Sequence, residues 1–336
     1  MKAIVQDKYG SFDVLDYADV DVPVPGEGEV LIRVHAAGVD PGVWHLMTGL
    51  PYLTRVIGFG LRKPKVRVRG VALAGRVEAV GAKVVGFRPG DEVYGTCEGS
   101  FAEYAVARVD KIALKPVNLD FEQAAAVPIS AATALKALRD TGRLQTGQSV
   151  LVIGAGGGVG SFAVQLAKAF GALVTGVCST SKVEHVRSMG ADDVIDYTKE
   201  DFLGSSGRRS EADARAVGSA HYDLILDTGG NRPLYQLRRA LTPTGTLVVV
   251  GGEGGGRFLG GFDRTLRAPL LSAFVGQKLR GLIAVESRED LQFLAGLIEA
   301  GKVVPAVDKA FSLDRAPEAI RYVHEGRARG KVVVTV

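Results

Sequence analysis

Hydrophobic and polar positions change period along this chain, and the changes divide it. Up to about residue 120 the apolar residues form short runs broken by glycine and proline, the signature of strands. Residues 30–37 follow a turn signal at 23–28, and further runs lie at 74–80, 92–94 and 101–106, with Gly75, Gly81, Gly86, Gly90 and Gly99 at the bends. Many short strands with glycine turns predict a partly closed antiparallel barrel. Residues 40–65 have mixed periodicity and carry Trp44, His45, Tyr52 and the basic run Arg62, Lys63, Pro64, Lys65. From Asp120 the period lengthens: 121–127 reads as a short helix stopped near Pro128, and 130–140 as an alanine-rich one. Strands then alternate with helices: strands at 149–153, 172–177, 193–197, 222–227 and 245–250, helices at 161–170, 183–189, 232–241 and 290–300. Such alternation predicts an α/β domain with a doubly wound parallel sheet. Residues 205–220 read as a polar surface excursion, 253–261 as a glycine-laden cover, and 277–284 as an edge strand able to pair with another subunit. Elements at 303–311, 316–323 and 331–336 return to the amino-terminal part.

The stretch from Ser149 to Lys182 organises the rest. Strand, glycine run, amphipathic helix and second strand make one βαβ unit, whose helix N-terminus suits a dinucleotide pyrophosphate. Gly154, Gly157 and Gly160 are the best-spaced glycines, for a tight turn, close phosphate approach and close helix packing. Gly156, Gly158 and Val159 complete the loop; the alternative is a glycine run that only turns the chain. Beyond the second strand come Cys178, Ser179, Thr180, Ser181 and Lys182, with no carboxylate before Glu184. Hydroxyls and an ammonium suit the additional ribose phosphate of NADPH, whereas an acidic residue would select NADH. NADPH is therefore expected, unless Ser179 and Ser181 cap a helix and Lys182 is solvated.

Composition narrows the class. With 336 residues the chain is long enough for two domains, and 46% apolar content is that of a folded protein. The formal charge of +4, from 41 basic and 37 acidic residues, is spread without a block, so a nucleic-acid partner is not expected. Two cysteines cannot make a disulfide framework, and five histidines show no metal-ligand spacing, so no zinc site is expected. The absence of an export signal and of a long apolar segment leads us to expect a cytoplasmic protein outside the membrane.

The loop 154–160, the helix stretch 163–168, the exit Asp196-Tyr197 and the pair Asp223 and Asp227 resemble the medium-chain dehydrogenase/reductase superfamily. Gly70 to Gly81, residues 87–93 and residues 99–104 resemble its amino-terminal barrel. The chain is most similar to the zinc-free quinone oxidoreductase-like branch. This resemblance implies a GroES-like catalytic domain of residues 1–122 completed by 302–336, and a Rossmann domain of 123–301 between them. It implies NADPH-dependent hydride transfer to a quinone or an α,β-unsaturated carbonyl without metal, commonly in a homodimer. Zinc-dependent relatives carry cysteine at the position of Asp40, histidine and glutamate at those of Val71 and Ala72, and often cysteine at that of Ile129. This chain also departs from the quinone branch, which often reads Asn-Pro-x-Asp where Asp40-Pro41-Gly42-Val43 stands, and aspartate where Ala72 stands.

Within that frame Tyr52 is the candidate to position or protonate the carbonyl oxygen, or else packs against Trp44. Trp44 is a wall of the site, and Asp40 orients substrate or water or caps a turn. The resemblance places Thr133 near the nicotinamide carboxamide and Tyr197 beside adenine. It also places Lys331 in the terminal loop that reaches a cofactor phosphate, unless it is an ordinary surface lysine. Gly251 and Gly252 let the backbone approach the nicotinamide or simply end a strand, and Asp227 lies by position at the cleft rim or is a solvated loop carboxylate. The competing readings are a zinc-free alcohol dehydrogenase or carbonyl reductase, and a protein that binds NADPH without turnover.

Overall fold

The computed structural model describes residues 1–201, 221–230, 232–251 and 256–336. Contacts group these into two compact units, Met1–Ala132 with Val285–Val336, and Thr133–Ala284. The sequence put the turning points at 122 and 302. Two packing contacts explain why the first unit extends further at both. The helix Phe121–Ala125 is closed by a capping box between Asp120 and Gln123, and its Phe121 ring stacks on His35 at 4.3 Å. The helix Arg288–Glu299 is tied to the first unit by the Tyr94 hydroxyl, which donates to the Leu291 carbonyl at 2.6 Å, and by Lys111, which donates to the Glu286 carbonyl.

The first unit is built on a seven-stranded sheet in the order Val307–Ser312, Lys331–Thr335, Glu29–Val39, Ala72–Val80, Glu92–Thr96, Ile112–Leu114, with Tyr104–Arg108 also paired to Glu29–Val39. One edge of Glu29–Val39 serves two partners: residues 29–33 pair with Tyr104–Arg108, and residues 36–39 with the last strand, Lys331–Thr335. Irregular register against Ala72–Val80 near Leu31 and Val34 bends this long strand, which lets a partly closed barrel form around Ile32, Val34, Leu73, Val93 and Phe101. Val307–Ser312 and Lys331–Thr335 run parallel and so need a crossover, supplied by the helix Ala316–His324. The strand expected at 101–106 forms later, at Tyr104–Arg108, because Phe101 is held by Ile4 and Arg69 backbone groups instead.

The second unit is an all-parallel sheet in the order Asp193–Asp196, Leu173–Cys178, Ser149–Ile153, Tyr222–Asp227, Leu241–Val249, Lys278–Gly281. In chain order this is strands 3-2-1-4-5-6, the doubly wound Rossmann arrangement, with its topological switch between Ser149–Ile153 and Tyr222–Asp227. Asp223 stitches those two strands, accepting from both the amide and the hydroxyl of Ser149. The expected edge strand is the last in the sheet, at Lys278–Gly281. The polar stretch expected at 205–220 lies outside the described residues, as do residues 253–255 of the cover expected at 253–261. No helix among the described residues is long and apolar enough to cross a membrane.

Tyr94 is fully buried and its one polar atom is satisfied by Leu291. Tyr94→Phe removes that bond while keeping the ring. A loss of about 0.5–1.5 kcal/mol is expected, read as a lower thermal midpoint in calorimetry.

Candidate active site

The dinucleotide loop owes its shape to backbone contacts that a side chain would block. Gly154 has φ +81°, and a Cβ there would stand 2.4 Å from Thr228 Oγ1. At Gly160 a Cβ would stand 2.1 Å from the Gly154 carbonyl oxygen, so the helix could not approach the turn. These two glycines let the helix Gly158–Ala169 start directly above the strand Ser149–Ile153. Gly157 occupies its N-cap in an extended conformation with no side chain over the first amides, and Val159 is half-buried in its first turn. The amides at the start of this helix therefore form the cradle that a pyrophosphate needs.

The exit of Leu173–Cys178 turns across that loop. Ser179 precedes a short 3-10 turn, Thr180–Lys182, and a Cβ on Gly156 would meet the Lys182 stem at 2.8 Å. The nearest carboxylate, Asp196, is already taken up: Thr180 Oγ1 donates to it at 2.6 Å, and the Thr198 hydroxyl and amide also donate. These bonds, the Thr180 hydroxyl first, hold its pKa down at about 2. Ser181 is exposed and Tyr197 is 54% exposed beside this turn, leaving its ring face accessible. Thr133 is half-buried in the helix Pro128–Leu135.

Asp227 lies elsewhere than a solvated rim. It is 1% exposed, its Oδ2 accepts from Arg264 at 2.7 Å and its Oδ1 from the Gly230 amide. It anchors the loop after its strand. Gly251 follows the next strand, where a Cβ would meet the Thr228 carbonyl oxygen at 3.3 Å; Gly252 lies outside the described residues.

In the first unit, Asp40 and Lys331 come together although 291 positions separate them. The Lys331 ammonium donates to Asp40 Oδ1 and, at 3.0 Å, to Ser130 Oγ, and the Ser130 hydroxyl bonds Asp40 at 2.9 Å. Lys331 is 2% exposed and Asp40 7%. Lys331 is thus the buried counter-ion of Asp40 rather than a residue reaching for phosphate. Asp40 stands at the N-cap of the helix Pro41–Thr48 without bonding its amides, so the turn-capping alternative is replaced by a buried ion pair. Neighbouring Val71, Ala72 and Ile129 offer no metal-binding atom in their side chains. Among the described residues no three His, Cys, Asp or Glu side chains gather as a metal site.

The helix Pro41–Thr48 was not read from the sequence, although Pro41 at its first turn and Gly49 past its end, with φ +63°, are its signals. On it, Trp44 stacks on His324 at 3.8 Å and leans on Phe12 at 5.0 Å. The half-buried Tyr52 ring faces the Arg55 guanidinium at 4.9 Å. Arg55 was missed, and its signal was local: a basic residue three positions after Tyr52 on a helical turn.

Residues 26–117 match the alcohol dehydrogenase GroES-like domain and residues 189–334 the family described as zinc-binding dehydrogenase. The chain is 34% identical, over 100% of its length and 89% of the relative's, to the mitochondrial NAD(P)H oxidoreductase RTN4IP1 of Bos taurus. It belongs to the medium-chain dehydrogenase/reductase superfamily, in the quinone oxidoreductase-like branch. The chain is also 35% identical to 2-methylene-furan-3-one reductase of Solanum lycopersicum, over 99% of this chain and 79% of that one. Quinone oxidoreductase of Coxiella burnetii superimposes with a TM-score of 0.84 at 28% identity, covering 100% of this chain and 99% of that one. As a member of this branch the chain is an oxidoreductase with an NAD(P)H-binding fold. One expectation is corrected: the RTN4IP1 relatives of cattle, zebrafish, human and mouse are all mitochondrial. Similarity to organelle proteins overturns a cytoplasmic assignment that rested on the lack of an export signal.

Removing one member of a buried ion pair leaves the other charge unpaired. Lys331→Met should cost about 3–5 kcal/mol, and the double variant Asp40→Leu with Lys331→Met should recover most of that loss. Urea unfolding of Lys331→Met, Asp40→Leu and the double variant against wild type forms the double-mutant cycle; additive losses would mean that the two groups do not act together.

Proposed function

We propose that this protein is an NADPH-dependent reductase of quinones and α,β-unsaturated carbonyls that works without a metal. The observation that carries the cofactor assignment is the turn after Leu173–Cys178, where the Lys182 stem crosses Gly156 and Asp196 is occupied by Thr180 and Thr198. A free carboxylate would accept from ribose hydroxyls and repel an additional phosphate; here Ser179, Ser181 and Lys182 supply donors and positive charge.

When bound, the reduced nicotinamide supplies a hydride to the electron-poor carbon of the acceptor. The chain's own residues bind and orient. The first amides of Gly158–Ala169 and the backbone of Gly154 to Gly157 meet the pyrophosphate. Tyr197 stacks beside adenine, while Thr133 and Gly251 line the nicotinamide side. Tyr52, a phenol and hence a donor at neutral pH, polarises the acceptor's carbonyl oxygen and can supply the proton that accompanies the hydride. The Asp40–Lys331 pair fixes the loop that leads into Trp44 and Tyr52. Donors held in place by packing stabilise developing charge with little reorganisation, so the reaction has no need of a Lewis acid. The names of the tomato and Coxiella relatives, an enone-type reductase and a quinone oxidoreductase, support the acceptor class.

The terminal strand Lys278–Gly281, followed by exposed Ile283 and Val285, supports assembly as a homodimer through sheet-edge pairing. Light scattering should give twice the chain's mass.

Two measurements test the reading. NADPH oxidation is followed with quinones, enones, enals and simple ketones, with product analysis. Loss of the conjugated double bond or reduction of the quinone is expected, and carbonyl reduction with the double bond intact would favour an alcohol dehydrogenase instead. Lys182→Ala should weaken NADPH roughly tenfold or more while changing NADH little, which titration of both cofactors will read; equal losses would remove Lys182 from phosphate recognition.

A further inference from the structure

Arg69 is 5% exposed, yet its guanidinium makes no hydrogen bond or ion pair with any described residue, and its Nε is enclosed without an acceptor. Its backbone is fixed on both sides, the amide donating to the Ile4 carbonyl and the carbonyl accepting from Phe101. The adjoining Val68 packs with Ala3, Val5 and Ala102, so by strand alternation Arg69 projects to the opposite face, with Gln6. Gln6 is equally buried. Its amide nitrogen is spent on the carbonyls of Met47 and Lys8, and its Oε1 has no partner. Ser100, fully buried beside Gly70, also has an unpartnered hydroxyl.

The surroundings are cationic. Arg55 lies 4.3 Å over the Tyr9 ring and 4.9 Å over the Tyr52 ring, with its Nε and Nη2 donating to the Gly49 and Thr48 carbonyls. Tyr9 feels both Arg55 and Arg69. The acid nearest in its effect on Arg69, Glu98, is exposed and forms no ion pair with it. Burial pushes the Arg69 pKa down to about 10, which still leaves it charged at neutral pH. An enclosed cation without a counter-ion destabilises a fold, and a neutral side chain of similar volume would serve packing better. An anion arriving from outside removes that penalty and takes guanidinium N–H bonds of the charge-assisted kind.

We infer that Arg69 is the binding residue for an oxyanion carried by the substrate, so that the natural acceptor is a conjugated carbonyl compound bearing a carboxylate or phosphate group. Gln6 Oε1, an acceptor without a partner, offers nothing to an anion, so the Arg69 guanidinium is the group that would receive it. This inference rests on the reductase reading for its acceptor, and its test separates the two.

The full-length protein with NADPH is assayed on acetylacrylate and on its neutral methyl ester, in wild type, Arg69→Met and Arg69→Lys. Wild type should favour the acid in kcat/KM. Arg69→Met should lose about tenfold or more on the acid, as expected for a lost hydrogen bond to a charged group, and about twofold or less on the ester. Arg69→Lys should keep part of the preference, and NADPH affinity should not change. Because an unpaired charge has been removed, ligand-free Arg69→Met should melt at the same temperature or higher; a lower midpoint together with equal losses on acid and ester would make Arg69 structural and overturn the inference. If neither acceptor turns over, the reductase reading fails for this class, and calorimetric binding of levulinate, the saturated acid, decides the anion site separately. Binding to wild type and not to Arg69→Met supports the site, and no binding to wild type overturns it. Inorganic phosphate that stabilises wild type but not Arg69→Met, without any acid preference in turnover, would replace a substrate subsite by a free-ion site.

Discussion

The first unit is held at one point by a charge pair that water does not reach. Asp40 leads into the helix bearing Trp44, Ser130 lies in the helix Pro128–Leu135, and Lys331 opens the last strand; all three meet through hydrogen bonds in the interior. Each partner depends on the others, since any one alone would be a buried polar group without compensation. The position of the loop from Pro41 to Tyr52 follows from this pair, and with it the placing of Trp44 against His324 and of Tyr52 against Arg55.

The second unit depends on a contact of a different kind, between backbones. Gly154 and Gly160 bring a helix over a strand with no side chain between them, and the helix amides then stand open at its beginning. Beside those amides, at the next strand's exit, the Lys182 stem crosses the loop, and Asp196 accepts from two threonine hydroxyls. One unit thus shapes its site by charge, the other by the absence of side chains.

Such differences decide what a sequence reader can see. The glycine loop was legible because its requirement is local: a few residues at fixed spacing between a strand and a helix. The parallel sheet was legible too, since its central strands Ser149–Ile153 and Leu173–Cys178 are mostly apolar runs with a helix between them. The Asp40–Lys331 pair was not, because nothing in either local pattern announces a partner 291 positions away. Asp227 misled for a related reason; a carboxylate at a strand exit looks solvated until Arg264 is placed against it. Arg67 and Arg69 make the same point more sharply. They alternate identically with valines in the chain, but Arg67 meets Asp7 at the surface while Arg69 is enclosed. Period assigns a face, and only packing decides whether that face is wet.

The strand Glu29–Val39 shares one edge between Tyr104–Arg108 and Lys331–Thr335, and this has a temporal side. During synthesis the residues up to Ala132 emerge long before the strand that closes their sheet, whereas Thr133–Ala284 is contiguous and carries all six strands of its own sheet. The inserted unit has its strand complement as soon as it leaves the ribosome. The unit that surrounds it must wait, with half of one strand edge unpaired, until the carboxyl-terminal residues arrive. Vectorial translation therefore imposes an order on the two units, and nascent chains spend that interval with an exposed strand edge of the kind that chaperones protect.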